Sequence, residues 1–173
     1  RTTHPGLVTE WDWDRNGEST PDLFTHGSHH TVWWLCQKDH EWKAAIKSRT
    51  AGAGCPYCSN QRVGSDNSLA VLNPTLAGQW HPTKNVGLTP QDVTIGSSRK
   101  AWWVCEKHHE WEASINDRNI GGGCPYCSNR KVGSDNNLAV LNPALAAEWH
   151  AVKNGKLTPY DITRGSGKKI WWK

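Results

Sequence analysis

Six cysteines and two of the nine histidines fall into a pattern suited to holding metal. Cys36 and His40 form one close pair and Cys55-Pro-Tyr-Cys58 a second, 14 residues further on. The same set recurs as Cys105, His109, Cys124 and Cys127. Each pair can sit on a tight turn that points two ligands at one ion, and two such turns complete a tetrahedron. Three thiolates with one imidazole suit Zn2+, with iron a less favoured occupant. Four protein ligands saturate the ion, so two structural zinc ions are expected, with no open position for catalysis. A disulfide framework is the competing reading. It does not account for the recurrence of the whole set, histidine included. Spacing alone does not choose between His108 and His109. The first set does, because Asp39 stands where His108 would be, which assigns the ligand to His109.

The ligands are carried by a tandem repeat of 69 residues: Pro5, Pro74 and Pro143 keep that interval, as do Trp11, Trp80 and Trp149, and Trp33, Trp102 and Trp171. The register holds without a gap through Thr20-Pro21, Thr89-Pro90 and Thr158-Pro159. This organisation predicts a first zinc module over 1–64, a second over 65–133 and a partial third over 134–173. The third copy reaches Trp171-Trp172-Lys173 without a cysteine, so it brings no metal ligands. The expectation is a monomer, or a piece of a longer chain whose array extends past both ends.

Within a repeat, Leu69-Ala-Val-Leu72 reads as a short apolar turn. Asn73 can then cap a helix of about two turns with Pro74 at its first position and Leu76, Ala77 and Trp80 on one face. Thr89-Pro90-Gln91-Asp92 has the form of a capping box, although Leu23 replaces the acidic residue in the first copy. Lys100–Val104 leads into Cys105 and Glu110–Ile115 leads away from His109, which predicts a β-hairpin with ligands at its tip. The fold class is therefore small α+β zinc modules in tandem, each a zinc-ribbon or treble-clef-like hairpin with short helices. The spacer Ser59–Asp66 is short and not of the Gly/Ser type, so neighbouring modules are expected to hold a fixed relation.

Composition agrees with small metal-dependent modules. Apolar residues make up 36% of the chain, with one Phe and no Met, and the mean hydropathy is -0.73. That is thin material for one large core, and small domains of this kind usually depend on metals or disulfides. The 12 Trp residues are the exception, and a few per module can replace a Leu/Ile core. No stretch approaches a membrane span and no apolar leader is visible, so no membrane partner is expected and the compartment is read as cytoplasmic.

These residues resemble a known family. Asn-Pro-x-Leu-Ala-x-x-Trp-His at 73–81, followed by Trp-Trp-x-Cys, His-Glu-Trp and Cys-Pro-Tyr-Cys, is similar to a zinc-ribbon repeat domain of unknown function found in bacterial and viral proteins. The resemblance covers essentially the whole chain. It implies zinc at the eight ligands named above. It also implies double-stranded DNA as partner, association with the bacterial nucleoid and a neighbouring nuclease-type domain, such as a relative of very-short-patch repair endonucleases.

The net charge of +4 permits a nucleic-acid partner without establishing one. Basic residues recur at equivalent positions: Arg49 and Arg118, Arg62 and Lys131, Arg99-Lys100 and Lys168-Lys169, and Arg15, Lys84 and Lys153. Charges repeating along an array would match a polyanion that also repeats along an axis. Lys43, Lys47, Asn116 and Arg130 complete the candidate contacts, with Arg and Asn able to read guanine and adenine edges. Solvated surface charge is the plain alternative at each position. In the Trp pairs Trp33-Trp34 and Trp102-Trp103 only one ring can enter the core of a strand, and the other is expected to pack on a neighbouring module or to offer a stacking surface. Protein contact and RNA binding are the alternative functions. An enzyme of the HNH type would need His29-His30 or His108 to recur, and neither does, so any catalysis is expected in a domain outside these residues.

Overall fold

The computed structural model describes residues 4–173. Two antiparallel hairpins are its only sheets among those residues: β1 (Thr31–Leu35) with β2 (Glu41–Ala45), and β3 (Lys100–Val104) with β4 (Glu110–Ser114). Trp34 faces Trp42 in the first and Trp103 faces Trp111 in the second. Strand alternation puts Val32 and Trp34 on the buried face and Trp33 on the other. Ala101 and Trp103 are buried in the same way, with Trp102 opposite.

The helices are single turns: α1 (Pro5–Val8), α2 (Trp13–Asn16), α3 (Ile46–Thr50), α4 (Leu69–Leu72), α5 (Pro74–Ala77), α6 (Ile115–Asn119), α7 (Leu138–Leu141) and α8 (Pro143–Ala147). Asn73 caps α5 as its sequence predicts, accepting from the Leu76 N–H at 3.1 Å. The expected second turn does not form. The helical pattern gives way to tighter turn bonds, from the Gln79 N–H to the Leu76 carbonyl and from the Trp80 N–H to the Ala77 carbonyl, both at 3.0 Å; Trp80 then bridges Trp103, and its indole N–H reaches the Leu88 carbonyl at 3.2 Å. The expected capping box forms in the third repeat, between Thr158 and Asp161.

Tryptophan is the commonest residue of the core. Trp11 meets Trp34 edge-on with ring centres 5.4 Å apart, beside buried Val32, Trp42, Ile46 and Cys55. Trp80 and Trp103 repeat that pair at 5.2 Å, and Trp149 and Trp172 at 5.6 Å. Each buried indole N–H needs an acceptor, and Trp34 and Trp103 both find one at 3.0 Å, the carbonyls of Ala44 and Ala113. The outer edge of each first strand is closed by an asparagine amide acting as a third strand would. Asn16 donates to the Trp33 carbonyl at 2.8 Å and accepts its N–H at 2.9 Å, and Asn85 does the same for Trp102 and Asn154 for Trp171.

The chain divides into two compact units, one of residues up to Leu72 with Pro90–Ile95, the other of Asn73–Thr89 with Gly96–Lys173. Pro90–Ile95 belongs to the first unit because Leu69 donates to the Val93 carbonyl at 2.8 Å and the Thr94 hydroxyl donates to the Asn60 carbonyl at 3.1 Å. Buried Asn67 stiffens the first unit after the last cysteine. It accepts from the Gly64 N–H at 2.6 Å and donates to the Tyr57 and Arg62 carbonyls.

Candidate metal centre

Cys36 leaves β1 and His40 enters β2, so the hairpin tip sets the first ligand pair. The Cys36 N–H donates to the His40 carbonyl at 3.0 Å and the Asp39 N–H to the Cys36 carbonyl at 2.9 Å. This tight turn needs a left-handed residue before the histidine, supplied by Asp39 at φ 59 and by His108 at φ 58. Asp and His are among the residue types that tolerate that conformation. His108 is thereby a turn residue, and His109 is the one that presents its ring to the cysteines.

The second pair sits on the turn that follows α3 or α6. Ser59 donates back to the Cys55 carbonyl at 3.1 Å, and Ser128 to the Cys124 carbonyl at the same distance. The structure thus gathers all eight expected ligands into two clusters, Cys36, His40, Cys55 and Cys58, and Cys105, His109, Cys124 and Cys127, whose ligand atoms lie within 4.8 Å of one another.

Tetrahedral zinc with sulfur at about 2.3 Å and nitrogen at about 2.0–2.1 Å requires ligand–ligand edges of about 3.8 Å between sulfurs and about 3.6 Å between sulfur and nitrogen. His40 Nδ1 lies 3.4, 3.6 and 3.4 Å from the sulfurs of Cys36, Cys55 and Cys58, and the Cys36–Cys58 separation is 3.7 Å. In the second cluster the corresponding distances are 3.5, 3.6, 3.4 and 3.8 Å. No sulfur pair is at bonding distance and all six cysteines are free. The two Cys3His sites fit two structural zinc ions.

A carboxylate stands behind each histidine. His40 Nε2 is 2.9 Å from Asp66 and His109 Nε2 is 2.8 Å from Asp135. This contact orients the ring so that Nδ1 is left for the metal, and a carboxylate in that place makes the imidazole a stronger ligand. The Asp66 hydrogen bond raises the His40 pKa above its ordinary value. Sequence reasoning passed over Asp66 and Asp135 although they recur at the repeat interval, because an aspartate in a polar spacer carries no local signal. Burial pushes the Cys36 thiol up, but the N–H groups of Lys38 and His40 with the Cys58 and Cys55 thiols outweigh it and bring the group to about 7. Cys58 is pushed up to about 11, first by burial and then by Cys36 and Cys55. In each set the thiols therefore lose their protons unequally, and the ion completes the process.

Two expected surface contacts prove to be core residues. Arg49 is 5% exposed and Arg118 8%. The Arg49 guanidinium lies 5.1 and 5.2 Å from the ring centres of Trp34 and Trp42 and donates to the Ala53 carbonyl and the Glu10 carboxylate. Arg118 sits in the same way against Trp103 and Trp111 and donates to the Gly122 carbonyl and Gln79. Their recurrence reflects a planar cation packed between two indoles, where it ties the loop before the second ligand pair to the start of the repeat. Lys43, Lys47, Arg62, Arg99, Lys100, Asn116, Arg130, Lys131, Lys168 and Lys169 are all exposed.

Each outer tryptophan carries a cation of its own repeat over its ring, Trp33 with Arg15 at 4.3 Å and Lys43 at 4.9 Å, Trp102 with Lys84 at 4.5 Å and Trp171, itself 59% exposed, with Lys153 at 4.8 Å. The ring face attracts the cation and the lysine stem covers apolar surface. Arg15 and Lys84 are further tied to Glu41 and Glu110.

No curated protein matches the chain. A family model described as "Probable Treble clef zinc finger domain" matches residues 7–61, 76–130 and 145–173. These stretches cover most of the chain, and the first two enclose the two ligand sets. The chain belongs to this treble clef zinc finger family, in three tandem copies of which the first two carry a Cys3His site.

Proposed function

We propose that the repeats bind duplex DNA, with zinc holding each hairpin and exposed cations meeting the phosphates. The observation that carries this reading is the set of basic side chains left on the surface once Arg49 and Arg118 are assigned to the core. Arg62 and Lys131 are exposed at equivalent places, as are Arg99-Lys100 and Lys168-Lys169. A charge that recurs with the repeat and makes no core contact needs another reason to recur, and a phosphate backbone supplies one. Lys47, Asn116 and Arg130 differ from their counterparts and are the side chains assigned to base edges. Chemistry, in this reading, belongs to a nuclease-type domain or partner, and the repeats target it.

Fluorescence anisotropy of the zinc-loaded chain against mixed-sequence duplex, single-stranded DNA and RNA at several salt concentrations tests the proposal. Duplex binding with a log–log salt slope of about -3 or steeper corresponds to three or more phosphate contacts. Absence of duplex binding at low salt would overturn it and direct attention to a protein partner.

A further inference from the structure

The three sulfurs of each metal set have unequal surroundings. Cys55 and Cys124 are buried, and the Cys127 N–H points at the Cys124 sulfur from 3.5 Å. Cys36 and Cys105 are half-buried. Each receives backbone N–H groups of its hairpin tip, from Lys38 and His40 in the first site and from His109 and Lys107 in the second. Cys58 and Cys127 are exposed. Their sulfurs meet the ligands of their own sets: Cys58 lies 3.7 Å from Cys36 and 3.4 Å from His40 Nδ1, and Cys127 lies 3.8 Å from Cys105 and 3.4 Å from His109 Nδ1. All three sulfurs are thiolates once the ion is bound. A thiolate reacts according to its access, and an N–H aimed at the sulfur stabilises its charge. Cys58 and Cys127 combine access with the absence of any N–H donor among the described residues.

We infer that Cys58 and Cys127 are sites of oxidation by peroxide, with Cys36 and Cys105 as their resolving partners. The Cys58 thiolate attacks one peroxide oxygen. An S–O bond forms, the O–O bond breaks and hydroxide leaves with the electron pair, which gives a sulfenic acid. The Cys36 thiolate, 3.7 Å away, then attacks the Cys58 sulfur. The S–S bond forms, the S–O bond breaks and a second hydroxide leaves. The two cysteines together lose two electrons to one peroxide. Cys36 resolves the sulfenic acid in place of Cys55 because Cys55 is buried beneath the turn. The same steps join Cys127 to Cys105, 3.8 Å away. Each disulfide removes two of the four ligands of its set, so the site loses its hold on zinc and the hairpin its support. This chemistry does not depend on what the repeats bind.

The test exposes the zinc-loaded chain to hydrogen peroxide. Zinc release is followed with a chromophoric chelator. Samples taken early are quenched in acid, their free thiols are blocked, and the bridges are mapped by mass spectrometry. Loss of one zinc ion per disulfide is expected, with Cys36 joined to Cys58, Cys105 joined to Cys127, and Cys55 and Cys124 recovered as free thiols. Circular dichroism should show the fold lost as zinc leaves and regained on addition of dithiothreitol with zinc. In a parallel run without chelator, excess free zinc should leave the rate of disulfide formation unchanged, because the form that is attacked holds its metal. Early bridges from Cys55 to Cys58 or from Cys124 to Cys127 would overturn the inference. So would zinc retained through prolonged exposure to excess peroxide, or suppression of the disulfides by free zinc, which would place the oxidation on the metal-free chain.

Discussion

Arg118→Lys separates a core role from a phosphate-binding one, because lysine keeps the charge and loses the fork. The guanidinium reaches the Gly122 carbonyl and the Gln79 side chain at once while lying between Trp103 and Trp111. A lysine can serve one acceptor, leaving the other unpaired in a site that is 8% exposed. Loss of one charge-assisted bond costs about 1.5–3 kcal/mol, and weakening of one ring contact about another 0.5–1 kcal/mol. Some of this is recovered, since the arginine already leaves its Nε without a partner. The net expectation is about 2–3 kcal/mol of lost stability. With a urea m-value of about 1–2 kcal/mol/M for a unit of this size, the unfolding midpoint falls by about 1–3 M. Equilibrium urea unfolding of the zinc-loaded protein, followed by tryptophan fluorescence, measures it. Duplex affinity of the folded variant should stay within about twofold, since the residue reaches no ligand and charge is conserved. An unchanged midpoint with a tenfold drop in affinity would refute the reasoning and return Arg118 to the surface.

Four further outcomes follow from the same contacts. Asp135→Asn, which weakens the acceptor behind His109, should lower zinc affinity at the second site by about 10–100-fold in competition with a chromophoric chelator, with circular dichroism unchanged at saturating zinc. Asn85→Ala removes both bonds that close the edge at Trp102 and should cost about 1–3 kcal/mol in urea unfolding. Gly122→Ala places a methyl 2.5 Å from the Asp117 carbonyl oxygen, so the loop must relax toward the longer bond, 3.0 Å, that Ala53 makes at the equivalent place in the first repeat, and the loss should be about 1 kcal/mol or less, read as a small fall in melting temperature. Zinc affinity should decline as pH falls. Cys36 and Cys58 titrate at about 7 and about 11 without metal and must give up their protons on binding, so each step toward acid favours the protonated, metal-free side. Chelator competition at several pH values reads that slope.

The ligands were legible because a spacing repeated with its histidine leaves few interpretations, and the hairpin followed from strand patterns flanking a cysteine and a histidine. Asn73 before Pro74 announced its cap. The length of that helix was not legible, because the residue that ends it, Trp80, fits an apolar helical face as well as a bridge to a strand 23 residues away, at Trp103. Arg49 and Arg118 were misplaced for a related reason. Arginine is usually exposed, and only the arrangement of two indoles with the Ala53 or Gly122 carbonyl makes a buried seat for it. Pairing of Arg15, Lys84 and Lys153 with the outer tryptophans was hidden because they are separated by about one hairpin in sequence and meet only across a folded edge. What local pattern could not convey was contact between segments that are distant in sequence.

The central claim is that six free thiols and two histidines hold two zinc ions on which the hairpins depend. Native mass spectrometry of the chain, before and after exhaustive chelation, tests it most directly. The account predicts two zinc ions per chain with all cysteines reduced, and on their removal a shift to the broad, high charge states of an unfolded polypeptide. A metal-free chain carrying disulfides, or one that kept compact charge states after losing both ions, would contradict it.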